Sequence, residues 1–575
     1  MNKKDVVNTL DEIVAYLELK GASAASISAH RAAARAVKAF PGDLEYWLSE
    51  TGAASRRLDP SIHGIVSEIL QTGSTHALER LRREFPPSLV EMFQIPGLGA
   101  AKIRQIYEGL KVDSLAELEA AARDRRLEAL PRFGKKTAAK ILNSIEQLRW
   151  GSEARLFHHA YREAKELAAV LSGISSVARV EIAGAVRRRL EIIRGLDFVV
   201  QVSGSPDDLV RRLGTVPGVR EFITDKENSL SLKFASGTLA DIHWTRAAQF
   251  GFQFLRATGS VDHIDRLRQL ADGKGITWTE TELIRNGESL QTRSELDVYR
   301  ALGLPYIEPE LREGGGEIEA ARAGTLPTLI ERSDIRGFLH CHSTYSDGTS
   351  TVPEWARACR EAGYEYLGIT DHSERATFAG GITGDQVRMQ HEEIDAVNKR
   401  HSTFRVLKGI EADILEDGSL DLIPQVRDSF EFVIASVHNK LEMNVTRMTA
   451  RILKAMEDPK MVIWGHPTGR LLLSREPYGL DLDRIFRAAA ELGVAIEINA
   501  DPQRLDLDWR LLQQAIDAGV TIAIGADAHH VEGLRNMDVG VGIARKGWVT
   551  KEHVLNTRTV DEFLRRAHAR PGQAL

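Results

Sequence analysis

The chain has 575 residues, 43% of them hydrophobic and 27% charged, which is the balance of a soluble globular protein with several cores and excludes a collagen-like or disordered chain. A net charge of −6 excludes a surface that coats nucleic acid wholesale, and no apolar stretch reaches the length of a signal peptide or a membrane span. Two cysteines, Cys341 and Cys359, argue against a disulfide framework and for a reducing compartment, so the cytoplasm is the expected location.

Val6, Leu10, Ile13, Val14, Leu17 and Leu19 recur at helical spacing, as do Ala33, Val37 and Phe40, and residues 1–85 are expected to form a helical domain. Residues 58–70 have the outline of a helical hairpin, but its turn, Asp59-Pro60-Ser61-Ile62-His63-Gly64, lacks a glycine pair and is not expected to hold phosphate. Residues 86–150 carry two such turns between helical patterns. Ile95-Pro96-Gly97-Leu98-Gly99-Ala100-Ala101-Lys102 and Leu130-Pro131-Arg132-Phe133-Gly134-Lys135-Lys136-Thr137 place glycines where amides at a helix N-terminus can approach a phosphate, with lysine adding charge. The modest basic surplus of this half of the chain lies in the same region. The turns resemble helix-hairpin-helix elements, which implies DNA backbone contact through Gly97, Gly99, Lys102, Gly134, Lys135 and Lys136.

From residue 151 to 255 the pattern changes to strands and helices. Residues 178–182, 197–202, 229–234 and 238–244 read as strands; Gly184-Ala185-Val186-Arg187-Arg188 follows the first, and Asp197 and Asp241 stand on later ones. With the hairpins before it and Thr258-Gly259-Ser260 and His263 in residues 256–307 after it, this region resembles the fingers, palm and thumb of a family X DNA polymerase. Such a palm carries Gly-Ser before two arginines and then Gly-Asp-x-Asp, because two carboxylates one residue apart grip both metals of nucleotidyl transfer. Here the serine is Ala185 and the first aspartate falls on Gly195, leaving Asp197 and Asp241. Losing a metal-bridging carboxylate raises the barrier by several kcal/mol, so Mg2+ or Mn2+ is not expected to work well at the palm and polymerase activity is expected to be weak or lost. Gly184, Arg187 and Arg188 remain candidates for binding phosphate, with Arg189 and Arg194 nearby, and Glu191 reads as a solvated loop residue. The polymerase beta branch also uses a Schiff-base lysine in the third hairpin; the matching position here is Glu68, which cannot form that imine.

Residues 308–334 contain Arg312-Glu313-Gly314-Gly315-Gly316 and read as a flexible linker with a short helix from 317 to 322, so that the two halves would reorient. Beyond them, from 335 to 575, five apolar runs end in a histidine or carboxylate: 364–370 into Asp371-His372, 404–410 into Glu411, 432–437 into His438, 462–465 into His466, and 520–526 into Asp527-Ala528-His529. His340-Cys341-His342 and Asp347 open the segment. In a parallel β/α barrel every strand delivers its C-terminal end to one rim, so nine metal-ligating side chains would converge there.

These motifs resemble the PHP phosphoesterase family. The resemblance implies a distorted seven-stranded (β/α) barrel with three divalent metals, Mn2+ with Zn2+ or Fe2+ as alternatives: one on His340, His342, Glu411 and Asp527, the next on Glu411, His438 and His466, the third on Asp347, His372 and His529. Arg470 is a candidate for holding the substrate phosphate. The whole chain thus resembles the bacterial and archaeal PolX family, a multidomain α and α/β protein with a helical N-terminal region, a nucleotidyltransferase-like palm, a thumb and a C-terminal PHP barrel. The expected activity is Mn2+-dependent 3′-5′ trimming of DNA ends, gapped or primer-template, by a monomer without membrane contact. The alternatives are a gap-filling polymerase, a small-molecule phosphatase of histidinol-phosphatase type, and a noncatalytic DNA end-binding scaffold.

Overall fold

A computed structural model describes residues 3–39, 60–72, 74–86, 88–95, 98–131, 133–134, 137–138, 141–142, 154–204, 206–216, 218–226, 228–234 and 237–568. The chain divides into two compact units, Met1–Ser152 and Glu153–Leu575. The first is helical, with Lys3–Lys20, Ala24–Ala39, Pro60–Thr72, His76–Glu84, Ala100–Leu110 and Leu115–Arg123 as its longer helices. Val6, Leu10, Ile13, Val14 and Leu19 are buried, the face that helical spacing predicts. The hairpin outline over 58–70 gives way to one continuous helix, Pro60–Thr72: a proline in the first helical turn gives up an N–H that has no partner anyway. Thr75 starts the next helix by accepting a hydrogen bond from the Leu78 amide.

In the second unit, five strands form the palm sheet: β1 (Val177–Ile182), β2 (Gly195–Val202), β3 (Val219–Lys226), β4 (Ser229–Phe234) and β5 (Leu239–Thr245), in the order β1-β2-β5-β4-β3. The edge strand β3 has no counterpart among the expected elements. Its Glu221, Phe222 and Ile223 are all exposed, so no alternation of buried and exposed residues marks it in the sequence. β2 and β5 pair in parallel with Asp197 opposite Asp241, which puts both carboxylates on one face of the sheet. A thumb follows, with helices Phe250–Thr258 and Val261–Asp272 and a small antiparallel sheet over Ile276–Trp278, Leu283–Arg285 and Glu288–Ser289.

The segment after the thumb is packed in place, which corrects the expectation of a flexible linker. Leu311, Ile318, Ala321 and Leu329 belong to the thumb's apolar core. Arg312 is fully buried, pairs with Glu295 and donates through Nε to the Ile307 carbonyl at 3.0 Å, while Glu317 holds the Nδ1 of buried His263 at 2.6 Å. A charged glycine-rich stretch reads as solvated only while its long-range partners are invisible.

Seven parallel strands close the barrel: β6 (Gly337–Cys341), β7 (Tyr366–Ile369), β8 (Arg405–Asp413), β9 (Phe432–Ser436), β10 (Met461–Trp464), β11 (Ala495–Asn499) and β12 (Ile522–Ala528). Every residue of β6, β7, β9, β10, β11 and β12 is buried, as expected for parallel strands covered by helices on the outside. Leu339, Tyr366, Leu407, Phe432, Ile463 and Phe563 pack together in a separate apolar cluster. Among the described residues no helix is long and apolar enough to cross a membrane.

Candidate metal centre

All nine expected ligands stand at the C-terminal ends of barrel strands or just beyond them. His340 and His342 lie at the end of β6, His372 after β7, Glu411 near the end of β8, His438 and His466 two residues past β9 and β10, Asp527 and His529 at the end of β12, and Asp347 in the loop after β6. The Glu411 carboxylate is the hub. Its Oε2 lies 3.0 Å from His372 Nδ1, 3.5 Å from His340 Nε2 and 3.7 Å from His342 Nε2, and its Oε1 lies 3.0 Å from His466 Nε2 and 3.3 Å from His438 Nε2. Two donors on one tetrahedral ion, with bonds of about 2.1 Å, stand about 3.4 Å apart. The separations around Glu411 fall in the range that donors to a shared cation would show.

The geometry regroups the donors slightly. His340, His342 and Asp527 form one set, with His342 Nε2 at 3.3 Å from Asp527 Oδ1. His372 joins Glu411 and His438 in a second, to which His466 also comes within 3.2 Å of His438. Asp347 gathers His529 at 3.3 Å, His372 at 3.7 Å and His342 at 3.8 Å in a third. His342 and His372 therefore sit between sets.

The chemistry of the donor set fits divalent cations. His340 Nε2, both ring nitrogens of His342 and Glu411 Oε2 are buried without a hydrogen-bond partner, which costs about 1–3 kcal/mol per atom unless something else meets them. Burial alone would lower the His340 pKa, yet the carboxylates of Glu497, Asp527 and Glu411 raise it well above the usual imidazole value. Burial would likewise raise Glu411, and the surrounding imidazoles hold it well below the carboxylate range. His438 is pushed up to about 9 by Glu411 and Asp413 against its own burial, whereas burial draws His372 down to about 4. So dense an anionic cluster is balanced either by protons on some imidazoles or by cations. The backbone is strained at three ligands, with φ of +61° at His340, +25° at His466 and +46° at Asp527, a cost of about 1–3 kcal/mol each that marks positions overdetermined by their surroundings.

Two carboxylates outside the expected set, Glu497 and Asp413, hold ring positions in place, and a third, Asp371, ties down the loop after β6. Glu497 on β11 takes the Nδ1 of His340 at 2.5 Å and the His466 amide at 2.7 Å, so the His340 Nε2 lone pair faces inward. Asp413 does the same for His438 at 2.5 Å, and Asp371 accepts from the Ser343 amide at 2.7 Å and from Gln390 at 2.6 Å. Gly525 makes the first of these possible, because a Cβ there would lie 1.7 Å from Glu497 Oε1. In the sequence Glu497 shows only as a lone acid within the apolar run Val494-Ala495-Ile496-Glu497-Ile498, which the structure makes a fully buried strand.

The arginines expected to bind phosphate have partners within the chain. Arg470 donates to the Arg504 carbonyl at 2.9 Å, to the Leu505 carbonyl and to Asp508, bracing the rim. Arg187 is forked onto Glu295 at 2.6 Å and 2.7 Å and covers the Phe254 ring, and Arg188 binds Glu313 at 2.9 Å and the Thr258 carbonyl at 2.6 Å. Glu191 is buried rather than solvated: it accepts from Trp509 Nε1 at 3.0 Å and Arg510 at 2.7 Å. Gly184, at φ +59°, leaves room for Asp197, since a Cβ there would fall 1.8 Å from Asp197 Oδ2. Burial and the neighbouring Asp241 raise the Asp197 carboxyl to about 7.

In the helical unit, Gly99 caps Ala100–Leu110, with its carbonyl accepting from the Lys102 amide at 2.9 Å, and Gly134 likewise accepts from the Thr137 amide at 2.8 Å. Both glycines are exposed and among the described residues nothing lies within 4 Å of where a Cβ would sit, so a backbone ligand has room beside each. Gly97, Lys135 and Lys136 lie outside the described residues.

Comparison with known proteins agrees with this architecture. Residues 89–147 match the SAM-like helix-hairpin-helix tandem family, 253–313 the DNA polymerase beta thumb, and 339–501 the PHP domain. The thumb match runs into the stretch expected to be a linker. The barrel region is 28% identical over 240 residues to a probable phosphatase of Thermoanaerobacter, covering 39% of this chain and 93% of that one, and 27% identical over 246 residues to a probable phosphatase of Caldanaerobacter subterraneus, covering 40% and 92%. Over 576 residues, 98% of this chain and 100% of the relative, the sequence is 35% identical to the DNA polymerase/3′-5′ exonuclease PolX of Bacillus subtilis. With helical hairpins, palm, thumb and PHP barrel in that order along its whole length, the chain belongs to the PolX family.

Proposed function

We propose that this protein is a Mn2+-dependent 3′-5′ exonuclease that trims DNA ends at the PHP rim, with nucleotide addition weak or lost. The observation that carries the reading is Glu411, whose two oxygens are ringed by five imidazoles at 3.0–3.7 Å. Divalent cations held by such donors lower the pKa of bound water and screen the charge of a phosphodiester. The chain's own residues supply the rest. Glu497 and Asp413 fix the His340 and His438 rings so that their Nε2 atoms point into the site, and Glu411 and Asp527 provide negative charge that concentrates cations there. Hydrolysis joins a water oxygen to phosphorus and breaks the bond to the 3′ oxygen, which leaves with a proton on the shortened strand. The exposed glycine turns at Gly99 and Gly134 support a grip on DNA backbone independent of sequence. Cytoplasmic DNA repair is the setting this reading implies.

A gap-filling polymerase is the second reading, favoured by the name of the full-length relative and opposed by Gly195, which leaves Asp197 and Asp241 without a third carboxylate. Labelled primer-template incubated with Mn2+, with and without deoxynucleotides, separates them. Shortened primers in both lanes are expected; brisk extension would overturn the loss of the palm, and intact DNA with phosphate released from small esters would favour a phosphatase.

A further inference from the structure

We propose that Leu473, at the tip of a hairpin on the barrel mouth, is a wedge that parts the terminal base pair of duplex DNA and lets the 3′-terminal nucleotide reach the Glu411 cluster. The proposal rests on the exonuclease reading above. The hairpin starts beside a ligand: the Gly469 amide donates to the His466 carbonyl at 3.0 Å. It is closed by Leu471 and Arg475, which exchange amide hydrogen bonds of 2.8 Å and 2.7 Å, and tied down where the Leu472 amide donates to the Gln503 carbonyl at 2.7 Å. The adjoining Arg504 reaches Asp527 with Nε at 3.6 Å from Oδ2, so the anchor of the hairpin touches the other side of the same cluster. Leu472 and Tyr478 pack on the barrel core, whereas Leu473, 51% exposed, is the large apolar side chain among the outward-facing residues 473–477.

A single exposed leucine is ordinary on a protein surface. This one is not placed by default, because its φ of +63° lies in the left-handed region that glycine adopts freely and leucine does not. A glycine would relieve the turn and remove the side chain. Strain retained beside an active cluster, in a loop braced by the buried Arg470, points to use of the side chain itself. Apolar side chains presented on rigid supports part base steps in duplex DNA, and Arg475, two residues on, is exposed and held by its Nε donating to the Gly469 carbonyl at 2.8 Å, which sets a positive charge beside the wedge for the adjacent phosphates.

The test compares two DNA substrates of one sequence, single-stranded and fully paired with a blunt 3′ end, together with a small chromogenic phosphodiester, in the full-length Mn2+-loaded protein. Leu473→Ala is expected to slow trimming of the paired end at least tenfold more than trimming of the single strand, and to leave the small ester unchanged. Leu473→Gly is expected to give the same ratio with an unchanged or higher melting temperature, which separates loss of the wedge from loss of folding. An unchanged ratio, or an equal loss on all three substrates, overturns the wedge. If the wild-type protein shortens no DNA at all, the exonuclease reading fails and the wedge falls with it, an outcome distinct from a wild type that trims and a variant that matches it.

Discussion

Gly195 stands where a family X palm carries an aspartate, and among the described residues nothing around it requires glycine. Its backbone is not left-handed, and a Cβ built there meets only the Leu239 carbonyl at 3.8 Å, an ordinary contact. Gly195 and Asp197 are two apart on β2, so a carboxylate at 195 would share the face of Asp197 and Asp241. Gly195→Asp is therefore expected to fold normally and, with Mn2+, to raise primer extension at least tenfold over wild type, measured on a gapped template; no gain would show that the palm has lost more than a ligand. The adjacent Gly184 gives the opposite result, because any side chain there collides with Asp197. At this scale the gathering of the nine side chains at one rim was legible, since six of them end apolar runs and His340, His342 and Asp347 open the same segment. Glu497 and Asp413 were not, because a carboxylate that orients an imidazole from inside a strand leaves no spacing signature of its own.

The segment 308–334 shows why an element can be misread. Its triple glycine and charges resemble a linker, yet Glu295 is clamped between Arg187 and Arg312, and Tyr306 donates to it at 3.1 Å. Burial by itself would raise the Glu295 pKa, but Arg312 and Arg187 hold it to about 2. The unfolded carboxylate titrates near 4.5, so this depressed pKa contributes stability that is present in full above about pH 4.5 and is lost as pH falls toward 2. The amount is about 3 kcal/mol. Glu295→Gln, which leaves two buried guanidinium groups facing a neutral amide, is expected to cost about 3–5 kcal/mol at neutral pH and to flatten the acid dependence between pH 4.5 and 2. Urea unfolding followed at pH 7 and across that window would check both. An Arg-Glu-Arg clamp whose members are 17 and 108 residues apart is invisible to any local pattern.

At the scale of the whole molecule, the order of hairpins, palm, thumb and barrel was legible, whereas the union of palm and barrel was not. Glu191 joins Trp509 and Arg510, and buried Lys546 holds Glu313 and donates to the Arg188 carbonyl at 3.1 Å. These contacts bring the palm's arginine loop and the barrel into one compact unit, Glu153–Leu575, while the glycine turns belong to the other, Met1–Ser152. Cleavage and DNA grip should then be separable by mutation. Asp527→Asn keeps the shape of the side chain and the Asn499 contact at 3.0 Å but removes the charge that His340 and His342 face. Metal-site and catalytic substitutions of this kind cost about 10²–10⁴ in rate. Trimming of labelled DNA by Asp527→Asn is expected to fall at least a hundredfold, while its Kd for the same DNA stays within about twofold of wild type, a difference under about 0.5 kcal/mol. The two measurements belong on one preparation, because a parallel loss of affinity would mean that the barrel rim, rather than the helical hairpins, carries the DNA.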